Sequence, residues 1–232
     1  MPARPVAFRA RANPGAATAA QVAGHARALG VLGWVRVDPD EPARLLVHVE
    51  GDTDAVEQLL AFAAAQRTER VAVEGHEQFA VRGVSAGAFV VAEHRATAHH
   101  YDLRLELDGV MRSWALPRGP SMDPAIKRLA VQVQDHDPAR PDVEGASKII
   151  WDRGSYEQGG RVPWPEALDR GHAVFVLHGD KLRGGFALQR TRARSGAPAQ
   201  WLMIKRRDDR ARPGSDVTAA QPRSVISGRT LG

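Results

Sequence analysis

Apolar and polar positions change period repeatedly along the first third of the chain. PVAFRARA (5–12) alternates with a period of two, the pattern of a strand with one buried face. Residues 17–29 place Val22, Ala26 and Leu29 at helical spacing, and Gly30 is a natural stop. GWVRV (33–37) and RLLVHVEG (44–51) read as two strands joined by the turn DPDEP. Asp52, Thr53 or Asp54 can cap a second helix with Val56, Leu59, Leu60 and Ala63 on one face. ERVAVEG (69–75) predicts a closing strand. The order βαββαβ is that of a split-βαβ, ferredoxin-like sandwich.

Beyond residue 88 the period of two carries chemistry. In HRATAHHYDLRLELDG (94–109), His100, Asp102, Arg104 and Glu106 alternate with Tyr101, Leu103, Leu105 and Leu107. The commonest meaning of such a strand is a sheet with one dry and one wet face. The wet face here is unusual in its residue types. His94, His100 and Asp102 form a nitrogen and oxygen donor set that suits manganese, iron or zinc with open positions. Arg104, two residues further on, is placed to grip a phosphate that the metal also touches. His136 follows in RLAVQVQDHDP, another alternating stretch. His99 points to the opposite face from His100 and is read as structural or exposed, Glu106 as an outer partner, and Asp135 as a group that orients an arginine. His172 and His178 receive no role, and Trp114, Trp151 and Trp201 are read as core.

Charge sharpens the division. Residues 1–88 carry nine Arg against ten Asp plus Glu, a net −1; residues 89–232 carry 23 Lys plus Arg against 17 Asp plus Glu, a net +6. The basic part is the one that holds the histidines, which favours a polyanionic partner. A chain of 232 residues that is 43% hydrophobic can bury a core in one large or two small domains. It has no cysteine, so disulfides and thiolate metal sites are excluded. No apolar run reaches membrane-spanning length, and a cytoplasmic, nucleoid-associated protein is expected. Gly83-Val84-Ser85-Ala86-Gly87 fits the G-x-S-x-G elbow, but that motif needs a following helix and AFVVAEH looks extended.

Two resemblances add to this. ALGVLGWVRV with VEGDTDAVEQLL resembles the acylphosphatase family. That family binds acyl phosphate through an Arg and positions water with an Asn. Ala19 and Val37 stand at those positions here, so the resemblance implies the fold without the activity. Residues 89–136, with IIWDRGSYE, FVLHGDKLRGGFALQR and WLMIKRRDDRA downstream, resemble the 3′-phosphoesterase domain of bacterial DNA ligase D. The likeness covers about residues 88–232. It implies a compact β-barrel whose cavity the charged face lines, and a bound manganese ion, with zinc or cobalt as other divalent choices. It also implies trimming of DNA 3′ ends, with removal of a terminal ribonucleoside and of a 3′-phosphate in break repair. Carried over by position, His94, His100 and Asp102 are the metal ligands, and Arg104 and His136 bind the scissile phosphate. Arg118 (where the family usually has Lys), Arg128 and Arg140 complete the substrate-binding set. The expected architecture is α+β. It comprises an inactive acylphosphatase-like domain (1–78), a linker (79–88), a phosphoesterase barrel (89–207) and an extended or disordered tail (208–232).

The sequence departs from the ligase D pattern at four places. Arg140 replaces a Tyr, Ala92 a polar residue and Glu93 a Lys, and the stretch 146–150 is shortened. Three readings follow. The first is a stand-alone phosphoesterase that passes healed DNA ends to a ligase, a polymerase or an end-binding protein. The second is a DNA-end or partner-binding module with a structural metal. The third, an acylphosphatase, is disfavoured by Ala19 and Val37.

Overall fold

The computed structural model describes residues 5–13, 15–38, 40–95, 98–139, 142–192 and 198–231. They form two compact units. One runs to Val84 and takes in Arg161–Pro163; the other holds Ser85–Gly160 and the chain from Trp164 onward.

The first unit contains β1 (Val6–Ala12), α1 (Ala19–Ala28), β2 (Leu32–Val37), β3 (Leu45–Gly51), α2 (Thr53–Phe62), β4 (Ala65–Arg70) and β5 (Phe79–Val81). Its sheet has the order β4-β1-β3-β2-β5. The first four strands pair antiparallel in the split-βαβ arrangement, and β5 joins β2 in parallel. Both helices begin at side-chain caps. Thr18 and Gln21 form a capping box, and Asp52 accepts from the Asp54 N–H at 3.0 Å. Val22, Ala26, Val56 and Leu59 pack with Val35, Val47 and Val49 on one side of the sheet.

Two expectations are corrected here. The closing strand is Ala65–Arg70, not 69–75. It is an exposed edge strand with a bulge against Arg9 and Arg11, so no apolar alternation marks it, and Val71 and Val73 mislead the pattern. Residues 79–81, expected in the linker, form β5 of this sheet.

The second unit contains β6 (Gly87–Arg95), β7 (His99–Leu107), β8 (Val110–Leu116), β9 (Lys127–Gln132), β10 (Lys148–Gln158), α3 (Glu166–Asp169), β11 (His172–Gly179), β12 (Arg183–Arg190), β13 (Gln200–Lys205) and α4 (Val217–Ala220). The strands close into a barrel ordered β10-β11-β12-β13-β9-β8-β7-β6. Cross-strand partners share a face, so the register assigns inside and outside. Leu103 pairs with Val91 and Trp114, Leu105 with Phe89, Phe175 with Phe186, and Leu188 with Met203. All of these are at most 2% exposed and form the barrel interior. The three tryptophans read as core are buried.

That register reverses the expected placement of the charged face. His100, Asp102 and Arg104 point to the outside of the barrel, because the leucines between them fill the inside. Asp102 and Arg104 are nonetheless buried, and topology supplies the cover. β9 borders β8 while β10 borders β6, so the connection between them crosses over β7. Its first residues continue along β8, where His136 and Met111 exchange two backbone hydrogen bonds. Asp142 then meets Arg104 and Lys148.

The tail is also corrected. Residues 208–231 are largely irregular but tied to the barrel. Trp151 Nε1 donates to the Gln221 carbonyl at 2.8 Å, and Val225 N donates to the Ile150 carbonyl at 3.0 Å. Polar and backbone bonds leave no periodic signature, which is why pattern reading misses them. Glu144 is the anchor: it accepts from Ser224 Oγ and from Ile150 N. Burial pushes its carboxyl up, but hydrogen bonds from Ser224, Ser227 and Ile150, with the Arg229 charge, outweigh that and hold it at about 2. A depressed folded pKa stabilises above the ordinary value of 4.5, and the contribution is lost as pH falls towards 2. Wild-type amide protection over residues 221–230 is therefore expected to fall between those pH values. Glu144→Gln is expected to lose it already at neutral pH, as read by hydrogen-exchange mass spectrometry.

Candidate metal centre

β6 and β7 bring three ligand groups together. His94 and His100 are direct cross-strand partners, and their rings stack at 5.2 Å with an interplanar angle of 12°. Asp102 follows His100 on the same face and reaches both rings. His94 Nε2 lies 3.2 Å from Asp102 Oδ2, and His100 Nε2 lies 3.6 Å from Oδ1. One ligand atom from each residue falls within 4.8 Å of the others.

The polar atoms fit a divalent ion. His94 Nε2 is buried and has no partner in hydrogen-bonding geometry, despite its closeness to Asp102. A buried nitrogen aimed at a carboxylate without bonding to it is what two ligands of one ion look like. His100 Nδ1 bonds the Ala98 carbonyl at 3.1 Å, which leaves Nε2 as the ligating nitrogen. Burial pushes the His94 imidazole below the usual range. Lys148, His100 and Arg104 add to this and outweigh the attraction of Asp102. The neutral ring is the form that binds metal.

Arg104 stands next along the face. Its guanidinium is 6% exposed, 3.6 Å from Asp102 Oδ2, and donates to Asp142 Oδ1. Lys148 donates to the same oxygen at 2.5 Å. Burial acts to raise the Asp142 carboxyl, but the hydrogen bonds and charges of Lys148 and Arg104 win and hold it below the usual range. Ser113 is the cross-strand partner of Arg104, and its Oγ lies 3.2 Å from His136 Nδ1. His136 thus sits on the Arg104 side of the site, with its ring exposed.

The other sequence candidates scatter. Arg118 is exposed in the turn after β8. Arg128 pairs in register with Met203, so it shares the inward face, away from the cluster, and interacts with Asp216. Arg140 lies outside the described residues. His99 binds Glu93 at 2.7 Å on the opposite face from His100, Asp135 holds Arg112 at 2.8 Å, and Glu106 accepts from Ala88 N at 2.9 Å. Asp142 and Lys148 are the residues that sequence reasoning missed. Lys148 faces His94 in register, a relation visible only once β10 is paired with β6.

Residues 92–190 match the DNA Ligase D 3′-phosphoesterase domain. The His94/His100/Asp102 cluster lies inside that match. The chain is 44% identical over 155 residues to the "Multifunctional non-homologous end joining protein LigD" of Pseudomonas aeruginosa, covering 62% of this chain and 18% of that protein. It is 32% identical over 189 residues to the protein of that name from Mycolicibacterium smegmatis, covering 75% of this chain and 24% of the relative. The chain thus spans less than a quarter of the length of either. In the first unit, an acylphosphatase from Coxiella burnetii aligns at 20% identity over 34% of this chain and 94% of its own, with a TM-score of 0.30.

A metal ion held by this cluster would couple to stability. Divalent metal at a hundred times its Kd is expected to stabilise the fold by about 2.7 kcal/mol. The check is a denaturant titration with and without chelator, and His94→Ala should reduce the difference.

Proposed function

We propose that the second unit is a metal-dependent phosphoesterase that heals DNA 3′ ends by removing a 3′-phosphate, a terminal ribonucleoside, or both. The observation that carries this reading is the three-ligand cluster with a buried guanidinium beside its shared carboxylate, inside the matched domain. His94, His100 and Asp102 would hold the ion, with manganese the ion we infer and zinc or cobalt the divalent alternatives. When bound, a divalent ion supplies charge neutralisation for the phosphoester and lowers the pKa of a coordinated water.

The chain's own residues do the rest. Arg104 binds the phosphate from its place beside Asp102, and Lys148 adds a second positive charge. Asp142 holds both cations in place before substrate arrives. Ser113 Oγ donates to the Met111 carbonyl, so His136 Nδ1–H donates to Ser113 Oγ, and Nε2 donates to a phosphate or leaving oxygen when the ring is protonated. Arg118 and Arg140 are assigned to the flanking DNA backbone, and Arg128 to supporting the barrel end. The domain limits we adopt place residues up to Val84 in the first domain and Ser85 onward, apart from Arg161–Pro163, in the barrel domain, in place of the expected 1–78 and 89–207. The relatives' names place them in non-homologous end joining, and we carry that setting over, with a ligase, polymerase or end-binding protein as partner.

The reading of a binding module with a structural metal rests on Arg104 being neutralised by Asp142 and on Glu93 standing where the ligase D domain usually has Lys. The two separate in one assay. Chelator-stripped protein is given manganese, zinc or cobalt and a primer–template ending in a 3′-phosphate or one ribonucleotide. Ion-dependent appearance of a 3′-hydroxyl supports the enzyme; ion-dependent binding with unchanged ends supports the module.

A further inference from the structure

The first unit carries a second cluster of ligating groups, unconnected with the phosphoesterase site. β3 has Val47 and Val49 in the core, so His48 and Glu50 project from the helix-free face of the sheet. Both are buried, with the His48 ring near those of Trp34 and His76. Glu50 fixes the segment after β4: its carboxylate accepts the backbone N–H groups of Glu74 at 2.5 Å, Gly75 at 3.0 Å and His76 at 3.0 Å. Gly75 has φ +76°, a conformation that side chains resist, and it turns the chain so that Glu74 and His76 both approach His48. One ligand atom each from His48, Glu74 and His76 falls within 4.8 Å of the others.

The hydrogen bonds show which atoms remain for a ligand. His48 Nε2 lies 2.8 Å from Glu50 Oε1, and a carboxylate on one ring nitrogen sets the other for ligation. That other nitrogen, Nδ1, is buried and has no hydrogen-bond partner. Burial thus leaves this nitrogen without the partner that water would supply. Glu74 gives one oxygen, Oε1, to Arg9 at 2.8 Å, and its Oε2 lies 3.1 Å from His76 Nε2. The His76 ring is buried as well.

We propose that His48 Nδ1, His76 Nε2 and Glu74 Oε2 form a second divalent transition-metal site, which pins the segment after β4 across the sheet. Two imidazoles and a carboxylate suit zinc, with a remaining position for water. Glu50 is a positioning residue: it holds the ring of His48 and the turn that carries the other two ligands. The motifs are short, His-Val-Glu at 48–50 and Glu-Gly-His at 74–76, and only the fold brings them together.

The test is the zinc content of the full chain, measured by elemental analysis after chelator stripping and dialysis against micromolar zinc. The wild type is expected to hold two equivalents and His100→Ala one. Glu74→Gln and His76→Gln should each hold one, and His100→Ala/His76→Gln none. Glu74 is 37% exposed and His76 lies in an irregular segment, so both single variants spare the sheet, and circular dichroism checks their folding. Loss of one equivalent in both single variants supports the site. Zinc content equal to wild type in either one, at whatever stoichiometry, overturns it. The His100→Ala arm keeps this result separate from the phosphoesterase site.

Discussion

Asp102→Asn is expected to leave the barrel folded, weaken divalent-metal binding more than about 100-fold and abolish turnover. Loss of an outer-shell partner alone typically costs roughly 10–100-fold in metal affinity. Asp102 is closer to the metal than that: its two oxygens face the two imidazoles at 3.2 and 3.6 Å. It supplies the only formal negative charge of the three ligands. The amide is isosteric, and Arg104 keeps Asp142 as its ion-pair partner, so the fold has no reason to fail. Calorimetric metal titration and a 3′-end assay read the two effects separately. Unchanged metal affinity in the variant would remove Asp102 from the ligand set.

Arg104→Ala is expected to reduce activity by about 10²–10³-fold, the usual effect of removing one donor that stabilises transition-state charge. It also breaks a buried ion pair, which typically costs roughly 3–5 kcal/mol. Here the loss should sit at or below the low end of that range, because Lys148 still neutralises Asp142. Arg104→Lys should recover stability better than activity, since an ammonium cannot reproduce the bidentate fork. A variant that loses stability but retains kcat would show that Arg104 is structural.

How much of this was legible depends on the range of the signal. The His94/His100/Asp102/Arg104 face could be read directly, because alternation within one strand is local. Its burial could not. The cover comes from a connection whose path depends on β9 bordering β8 and β10 bordering β6, and no local pattern encodes that order. The same limit hid Lys148, which meets His94 only through strand pairing, and Asp142, which sits in an irregular crossing. Barrel polarity was inverted for a related reason. Alternation shows that a strand has two faces, but which one is inside follows from partners such as Trp114 and Phe89 on other strands. In the first unit the capped, amphipathic helices were readable, while the polar edge strand Ala65–Arg70 was not.

In the proposed function, the ligand cluster on β6 and β7 drives chemistry at a DNA 3′ end. Its most direct measurement is the fate of a labelled primer–template bearing a 3′-phosphate, with manganese, for wild type beside His100→Ala, with DNA binding recorded in parallel. The expected result is a 3′-hydroxyl product from the wild type alone, with DNA binding largely kept in the variant. Binding by both proteins with the 3′-phosphate intact in each would contradict the account and leave the barrel as a binding module.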